Sequence, residues 1–398
     1  MEKADLQSGS TRRTANEQHR LLAPQLNPPP RLLLGPGPCN AHPRVLLAMS
    51  QHQVGHLDPF FLHMMDEVKE MLRYAWQTSN PFTLPVSGTG SAAMEASVAN
   101  IIEPGDVMLI GCNGYFGLRL CDMASRYGAD VRRMTKPWGT VFSLEELEAG
   151  LKQHRPTVLA LVHAETSTGS CQPMEGVGDL CRKYGALLLL DCVTSLSGVP
   201  VFIDDWGVDI AYSGSQKCLS CPPGIAPFTM GPRALAKLHK RKNKVPNWYL
   251  DMSMIAQYLV STEPTRTYHH TAPINMTYGL REALRVVTEE GLEARWGRHR
   301  ENAELLWAGL ENRGIRMLVA KEHRLPSLTT ALIPKGVDGK AVAAYILTKH
   351  NIEVGNGLGE LAGKVWRFGM MGYNSRPDSV ITLLAALDDA LSNYKPKM

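Results

Sequence analysis

The stretch "ALLLLDCV", Ala186 to Val193, is a short apolar run that ends on an acid. Runs of this length, bounded by turn signals, read as strands buried on both faces of a parallel sheet. Three others share its character: "VMLIGC" (107–112), "TVLALVHAE" (157–165) and "DIAYSGS" (209–215). Helical spacing fills the gaps between them, in "LRLCDMASRYGAD" (118–130), "SLEELEAGLKQH" (143–154) and "GVGDLCRKYG" (176–185). A further helical pattern, "MMDEVKEMLRYAWQT" (64–78), precedes them. Strand and helix in repeated alternation predict an α/β fold, a mostly parallel sheet with helices on both faces.

Near Thr288 the rhythm changes. A long helical pattern over 289–314 is followed by strand "SLTTALI" (327–333), helix "DGKAVAAYILTKHN" (338–351) and strands "IEV" (352–354) and "VWRFGMM" (365–371). A last helix runs from about Pro377 to Tyr394. This is an α+β unit with its own core. The chain therefore divides into a polar arm over 1–30, a large domain over 31–288 and a small domain over 289–398. The arm ends in "NPPP", lacks aromatic residues and is expected to be flexible.

Composition narrows the function classes. The 398 residues carry 42 basic and 38 acidic side chains, a net charge of +4. That balance gives no argument for a nucleic-acid partner. The densest basic run, "KLHKRKNK" (237–244), reads as a solvated helix end. No apolar run approaches the ~18 residues a membrane helix needs, and the first residues lack a signal-peptide core. The eight scattered cysteines read as free thiols of a reducing compartment. The final "PKM" (396–398) resembles a peroxisomal address only faintly, and cytosol, peroxisome and mitochondrion stay open.

Three features carry chemistry. Lys217 follows an apolar strand and a tight "SGSQ" turn, at the strand end where parallel sheets place ligands. Desolvated there, it is a competent amine nucleophile. Asp191 ends its own apolar strand and needs a cationic partner, such as a pyridinium nitrogen. "SGTGSAAMEASVAN" (87–100) is a small-residue turn opening a helix, suited to an anion. A dinucleotide fits it less well: Gly88 and Gly90 are not followed by glycine at 93, and "FTLPV" before them contains Pro85, a poor central strand. Lysine, aspartate and phosphate cup together point to pyridoxal phosphate. The rival readings are a nicotinamide-dependent dehydrogenase using the glycine turn, and chemistry at the C-x-x-C pair Cys218 and Cys221. No second pair or histidine pair at zinc spacing accompanies those thiols, so no metal is expected.

From "LLLGPGPCN" (32–40), with its "GPGP" (35–38), to the last helix, the chain resembles the alanine–glyoxylate (serine–pyruvate) aminotransferase family. The matching segments include "SGTGSAAMEA" (87–96), "NGYFG" (113–117), "HAETSTG" (163–169), "YSGSQK" (212–217), "YHHT" (268–271) and "GKVWRFGMMG" (363–372). The resemblance implies the type I pyridoxal-phosphate fold, a homodimer and a transamination, with alanine and glyoxylate as the first pair. Serine as donor, or 3-hydroxykynurenine as in other members, is the alternative. Lys217 would form the Schiff base and Asp191 would pair with the ring nitrogen. Thr89, Gly90, Ser91 and Gln216 would hold the phosphate. Phe116, where relatives often have Trp, and Val193 would sandwich the ring, with Thr166 near its hydroxyl. Tyr268 and Thr271 would reach the partner subunit's phosphate. Gly37 and Arg367 would meet the substrate, Arg367 at its carboxylate. A cysteine desulfurase takes its thiol from late in the chain, and no cysteine here lies beyond 221.

Overall fold

A computed structural model describes residues 24–261 and 266–394. Residues 24–31 carry no helix or strand, and the "PKM" terminus and most of the arm lie outside the described residues. From Leu32 onward the chain forms one compact unit.

Its centre is a seven-stranded sheet. The strands, in chain order, are β1 (Thr83–Ser87), β2 (Val107–Cys112), β3 (Asp130–Thr135), β4 (Val158–Val162), β5 (Leu187–Asp191), β6 (Ile210–Tyr212) and β7 (Ile225–Met230). Their spatial order is β1-β7-β6-β5-β4-β2-β3. Only β7 runs against the rest. Every residue of β4 and β5 is buried, as their unbroken apolar runs require. Six strands thus end at one rim, where ligands of such sheets bind.

Two prolines explain the sheet's antiparallel side. Pro85 of β1 sits opposite Pro227 of β7. The Pro227 carbonyl accepts from Ser213 N at 2.9 Å, away from β1. Pro85 lies in the edge strand, where its missing N–H faces no neighbour. The segment that reads as a poor central strand is therefore an edge strand. β7 itself left no expectation in the sequence reading.

The helices that matter for the site are α1 (Pro59–Trp76), α2 (Gly90–Ile101), α3 (Tyr115–Arg126), α4 (Leu144–His154), α5 (Val177–Lys183), α6 (Ile274–Glu290) and α7 (Leu292–Glu311). Ser143 and Glu146 close a reciprocal capping box at the start of α4. The pattern over 118–130 overran its helix: the chain turns at Gly128, φ +83°, and Asp130 opens β3. The pattern over 289–314 is likewise cut at Gly291, φ +81°, which separates α7 from α6. α6 itself went unread.

Beyond α7 lies a small antiparallel sheet. It is built of β8 (Leu328–Leu332), β9 (Gly355–Asn356) and β10 (Val365–Gly369), with β10 in the middle. Helices α8 (Gly339–His350) and α9 (Pro377–Asn393) complete the small domain. Its own core includes Leu306, Leu310, Trp366, Phe368, Val380 and Leu387. "IEV" does not join that sheet: Ile352–Glu353 pairs in parallel with Leu32–Leu33, and Leu34 enters the small domain's core. No helix of the described residues is long and apolar enough to cross a membrane.

Candidate active site

The shared rim of the sheet collects the side chains. β5 delivers Asp191, which is 2 % exposed. Its Oδ1 accepts from Val193 N at 2.9 Å and its Oδ2 from the Tyr212 hydroxyl at 2.8 Å. Burial raises its pKa to about 6, against the pull of those two donors. β6 leads to Lys217, 7 % exposed, whose Nζ donates to the Pro36 carbonyl. Burial, then the nearby Arg367 charge, lowers the lysine to about 8. A free amine is thus available near neutrality. We expect capture of the cofactor by apoenzyme to accelerate about tenfold per pH unit below 8 and to level off above it, as stopped-flow absorbance would record.

The loop around Lys217 is fixed from three parts of the chain. Cys39 N donates to Gln216 O at 3.0 Å, and Cys39 Sγ to Lys217 O at 3.1 Å. Arg295 of α7 donates to Cys218 O at 2.5 Å, and Tyr373 N to Ser220 Oγ at 2.7 Å. Gly37, φ +104°, leaves no space for a side chain, since a Cβ there would sit 2.6 Å from Lys217 Nζ. Gly37→Ala should therefore displace the lysine and lower kcat at least ~100-fold with the fold retained, measured by steady-state rates beside circular dichroism.

Thr89, Gly90, Ser91, Phe116, Asp191, Val193, Gln216 and Lys217 line one cavity of about 160 Å³, with Met94 and Arg119. α2 points its N-terminus into it. Ala92 N and Ala93 N both turn to Thr89 O, while the Thr89 side chain makes no capping bond. The first amides of a helix have no partner inside it and present a positive end. Gln216 Oε1 is buried and has no hydrogen-bond partner. Arg119 donates to Ser91 Oγ at 3.2 Å, and its guanidinium lies 4.7 Å from the Phe116 ring centre.

Arg367, in the middle of β10, donates from Nε to Asn356 O at 2.9 Å and from Nη1 to Thr166 O at 3.1 Å. The Thr166 hydroxyl bonds Thr194 Oγ1. Burial lowers the pKa of Arg367, and it has no ion-pair partner among the described residues. Tyr268 and Thr271 are exposed and lie outside the cavity. Their segment is nevertheless tied to the turn that opens α2, because His270 Nε2 and Ser87 Oγ are 2.7 Å apart.

The aminotransferase class-V family model matches residues 37–378. The chain belongs to the class-V aminotransferases. It is 43 % identical over 383 residues to alanine–glyoxylate aminotransferase of Rattus norvegicus, covering 94 % of this chain and 92 % of that one. A solved alanine–glyoxylate aminotransferase from Nostoc sp. is 63 % identical, with a TM-score of 0.93, covering 94 % of this chain and 99 % of that chain. A solved ureidoglycine–glyoxylate aminotransferase of Bacillus subtilis is 40 % identical, with a TM-score of 0.91, over 93 % and 95 %. The resemblance read from the motifs and the type I fold it implied are both borne out.

Class-V aminotransferases use pyridoxal 5'-phosphate. The cavity of this aminotransferase fits it. The open amides of α2 and the uncommitted Thr89 hydroxyl are donors that suit an anion; Gln216 would meet it through its amide N–H groups, since its orphaned Oε1 only accepts. A buried carboxylate held by two donors suits a ring cation.

Four contributors escaped the motif reading. Arg119 stands one helical turn after Phe116, a spacing that offered a signal. Tyr212 and Met94 lie within the matched segments 212–217 and 87–96 but offered no signal of their own. Glu165 is fully buried: Oε1 accepts from Ser167 N at 3.0 Å and Ser167 Oγ at 2.6 Å, and Oε2 from Phe116 N at 3.1 Å. It thereby anchors the start of α3 and the Phe116 ring. Burial lifts it to about 7. Cys218 and Cys221 are buried, unpaired thiols, each pushed up to about 12 by burial. They are packing groups with little thiolate character. His269 and His270 bond one another at 2.8 Å, and no cluster able to hold a metal occurs among the described residues.

Proposed function

We propose that this enzyme moves the amino group of L-alanine to glyoxylate, giving pyruvate and glycine, in two half-reactions at one site. The observation that carries this is the buried Lys217, its pKa lowered by burial, in one cavity with buried Asp191, beside an Arg367 that has no ion-pair partner among the described residues. Glyoxylate stands in the names of both kinds of relative, the alanine–glyoxylate and the ureidoglycine–glyoxylate enzymes.

Bound pyridoxal phosphate supplies an electron sink. Lys217 Nζ would take the proton from the substrate α-carbon as base and return it as acid to the carbon on the far side of the amino nitrogen. Asp191 holds a negative charge against the ring nitrogen. Thr89, Gly90, Ser91 and Gln216 hold the phosphate; Phe116 and Val193 bracket the ring and Thr166 borders it. Gly37 lets the substrate approach the lysine. Arg367 grips the substrate carboxylate. The division of labour between a 31–288 domain and a 289–398 domain belongs to the same reading, with Arg367 supplied by the second.

A homodimer completes the site in this reading. Tyr268 is 55 % exposed, and the exposed Trp248 and Tyr249 lie against its neighbours His269 and His270. Large apolar groups at a surface mark a contact. Tyr268 and Thr271 would there reach the partner's phosphate.

The test is visible absorption of the holoenzyme. The coloured band should bleach with L-alanine and return with glyoxylate, and initial-rate lines should run parallel. Bleaching by serine or 3-hydroxykynurenine alone would keep the mechanism and replace the donor. Arg367→Lys should raise KM for alanine and glyoxylate about 10- to 100-fold, because a two-pronged charged contact worth ~1.5–3 kcal/mol becomes a single point charge. Unchanged KM values would remove Arg367 from the substrate.

A further inference from the structure

A second cavity, of about 420 Å³, shares no lining residue with the first. His163, Cys171, Trp206, Trp296, Arg300 and Glu322 are on its walls. Two polar atoms of these walls are buried without a partner, His163 Nδ1 and Trp296 Nε1. His163 is 3 % exposed and held by its neighbours: Nε2 is 3.6 Å from Cys171 Sγ, and its ring meets Trp206 edge-on at 5.0 Å. An indole N–H only donates, and leaving it buried and unpaired costs free energy that a ligand's acceptor would recover.

The rim carries opposite charges that do not pair. Arg324 is engaged, with Glu311 at 3.0 Å and its guanidinium 5.4 Å from the Trp307 ring centre. Arg300 and Glu322 make no hydrogen bond or ion pair among the described residues. Glu175 is on the wall as well, accepting from Met174 N at 3.2 Å. A positive and a negative group left apart on one cavity, with two tryptophans between polar groups, complement a molecule that has both charges and an apolar body.

We infer that this cavity is a second small-molecule site, for a free α-amino acid with an apolar side chain. Its carboxylate meets Arg300, its ammonium meets Glu322, and its side chain lies against Trp206 and Trp296. A small turn of the Trp296 ring would bring its Nε1–H, buried and unpartnered as it stands, to that carboxylate. The site is one hydrogen bond from the first, because His163 N donates to Asp191 O at 3.0 Å.

The experiment uses holoenzyme reduced with borohydride, which bonds the cofactor irreversibly and closes the first cavity to amino acids. L-phenylalanine and L-leucine are titrated calorimetrically. Binding of one molecule per chain is expected, with 3-phenylpropionate and phenethylamine, each missing one charge, at least about tenfold weaker. Arg300→Ala should weaken L-phenylalanine at least about tenfold, and Trp296→Phe, which removes the N–H and part of the ring surface, about threefold or more. Both variants, unreduced, should keep kcat/KM for transamination within about twofold, which establishes that they fold. Absence of binding up to the solubility limit of both amino acids overturns the inference. So does binding that Arg300→Ala leaves unchanged, or that phenethylamine matches.

Discussion

Lys217→Ala is expected to lower the rate of amino transfer from L-alanine to glyoxylate at least ~10⁴-fold. The size follows from the site. Lys217 is the amine that lines the cavity, and burial lowers it to about 8. No other lysine lines that space, and the thiols beside it, near 12, carry almost no thiolate at neutral pH. Stability should change little, because the side chain is a desolvated base whose polar contact is the Pro36 carbonyl. Single-turnover formation of pyruvate is the measurement. Methylamine in the buffer should restore part of the rate by entering the space vacated by the side chain, which separates lost chemistry from lost structure. A variant within tenfold of wild type would move the proton transfer to another group.

Asp191→Asn should lower kcat/KM on the order of 10²–10³-fold, the scale seen when one preorganised electrostatic partner is removed. The substitution keeps size and shape but removes the charge. It also mismatches the site: Val193 N and the Tyr212 hydroxyl both donate to this group, so an amide offers one oxygen where two acceptors are wanted. The orphaned donor makes a stability loss of ~1–3 kcal/mol an additional expectation, read from thermal unfolding. The acid limb of the rate profile should tell the same story. Burial raises Asp191 and a ring cation beside it would lower it again, so activity that depends on its charge falls on the acid side where the carboxylate takes up a proton, and this limb vanishes in the variant. An Asp191→Asn enzyme with wild-type kcat/KM and an unchanged acid limb would place the counter-charge elsewhere.

The parallel strands were legible because burial on both faces leaves an uninterrupted apolar run, as in β4 and β5. The edge character of β1 was legible too, through Pro85. β7 was not, since "IAPFTM" has a proline in a strand flanked on both sides, tolerated because Pro227 needs only its carbonyl on the β6 side. α3 was overextended because hydrophobic spacing does not register a turn such as the one at Gly128. At the site, the residues placed by motif needed only local sequence. Glu165, Tyr212 and Arg119 needed the rim itself, because each matters through a neighbour distant in sequence: Phe116, Asp191 and Ser91.

The bracing of the Lys217 loop bears on where the entropy of the reaction is spent. Its successive carbonyls are held by Cys39 near the start of the unit and Arg295 of α7, while Tyr373 of the small domain binds the Ser220 hydroxyl. Ordering a long amine would otherwise recur at every turnover, with the lysine searching its rotamers after each release. Here that freedom is surrendered once, when the chain folds, and regions as far apart in sequence as Cys39 and Tyr373 share the task. The nucleophile is thus a property of the assembled unit and not of its loop.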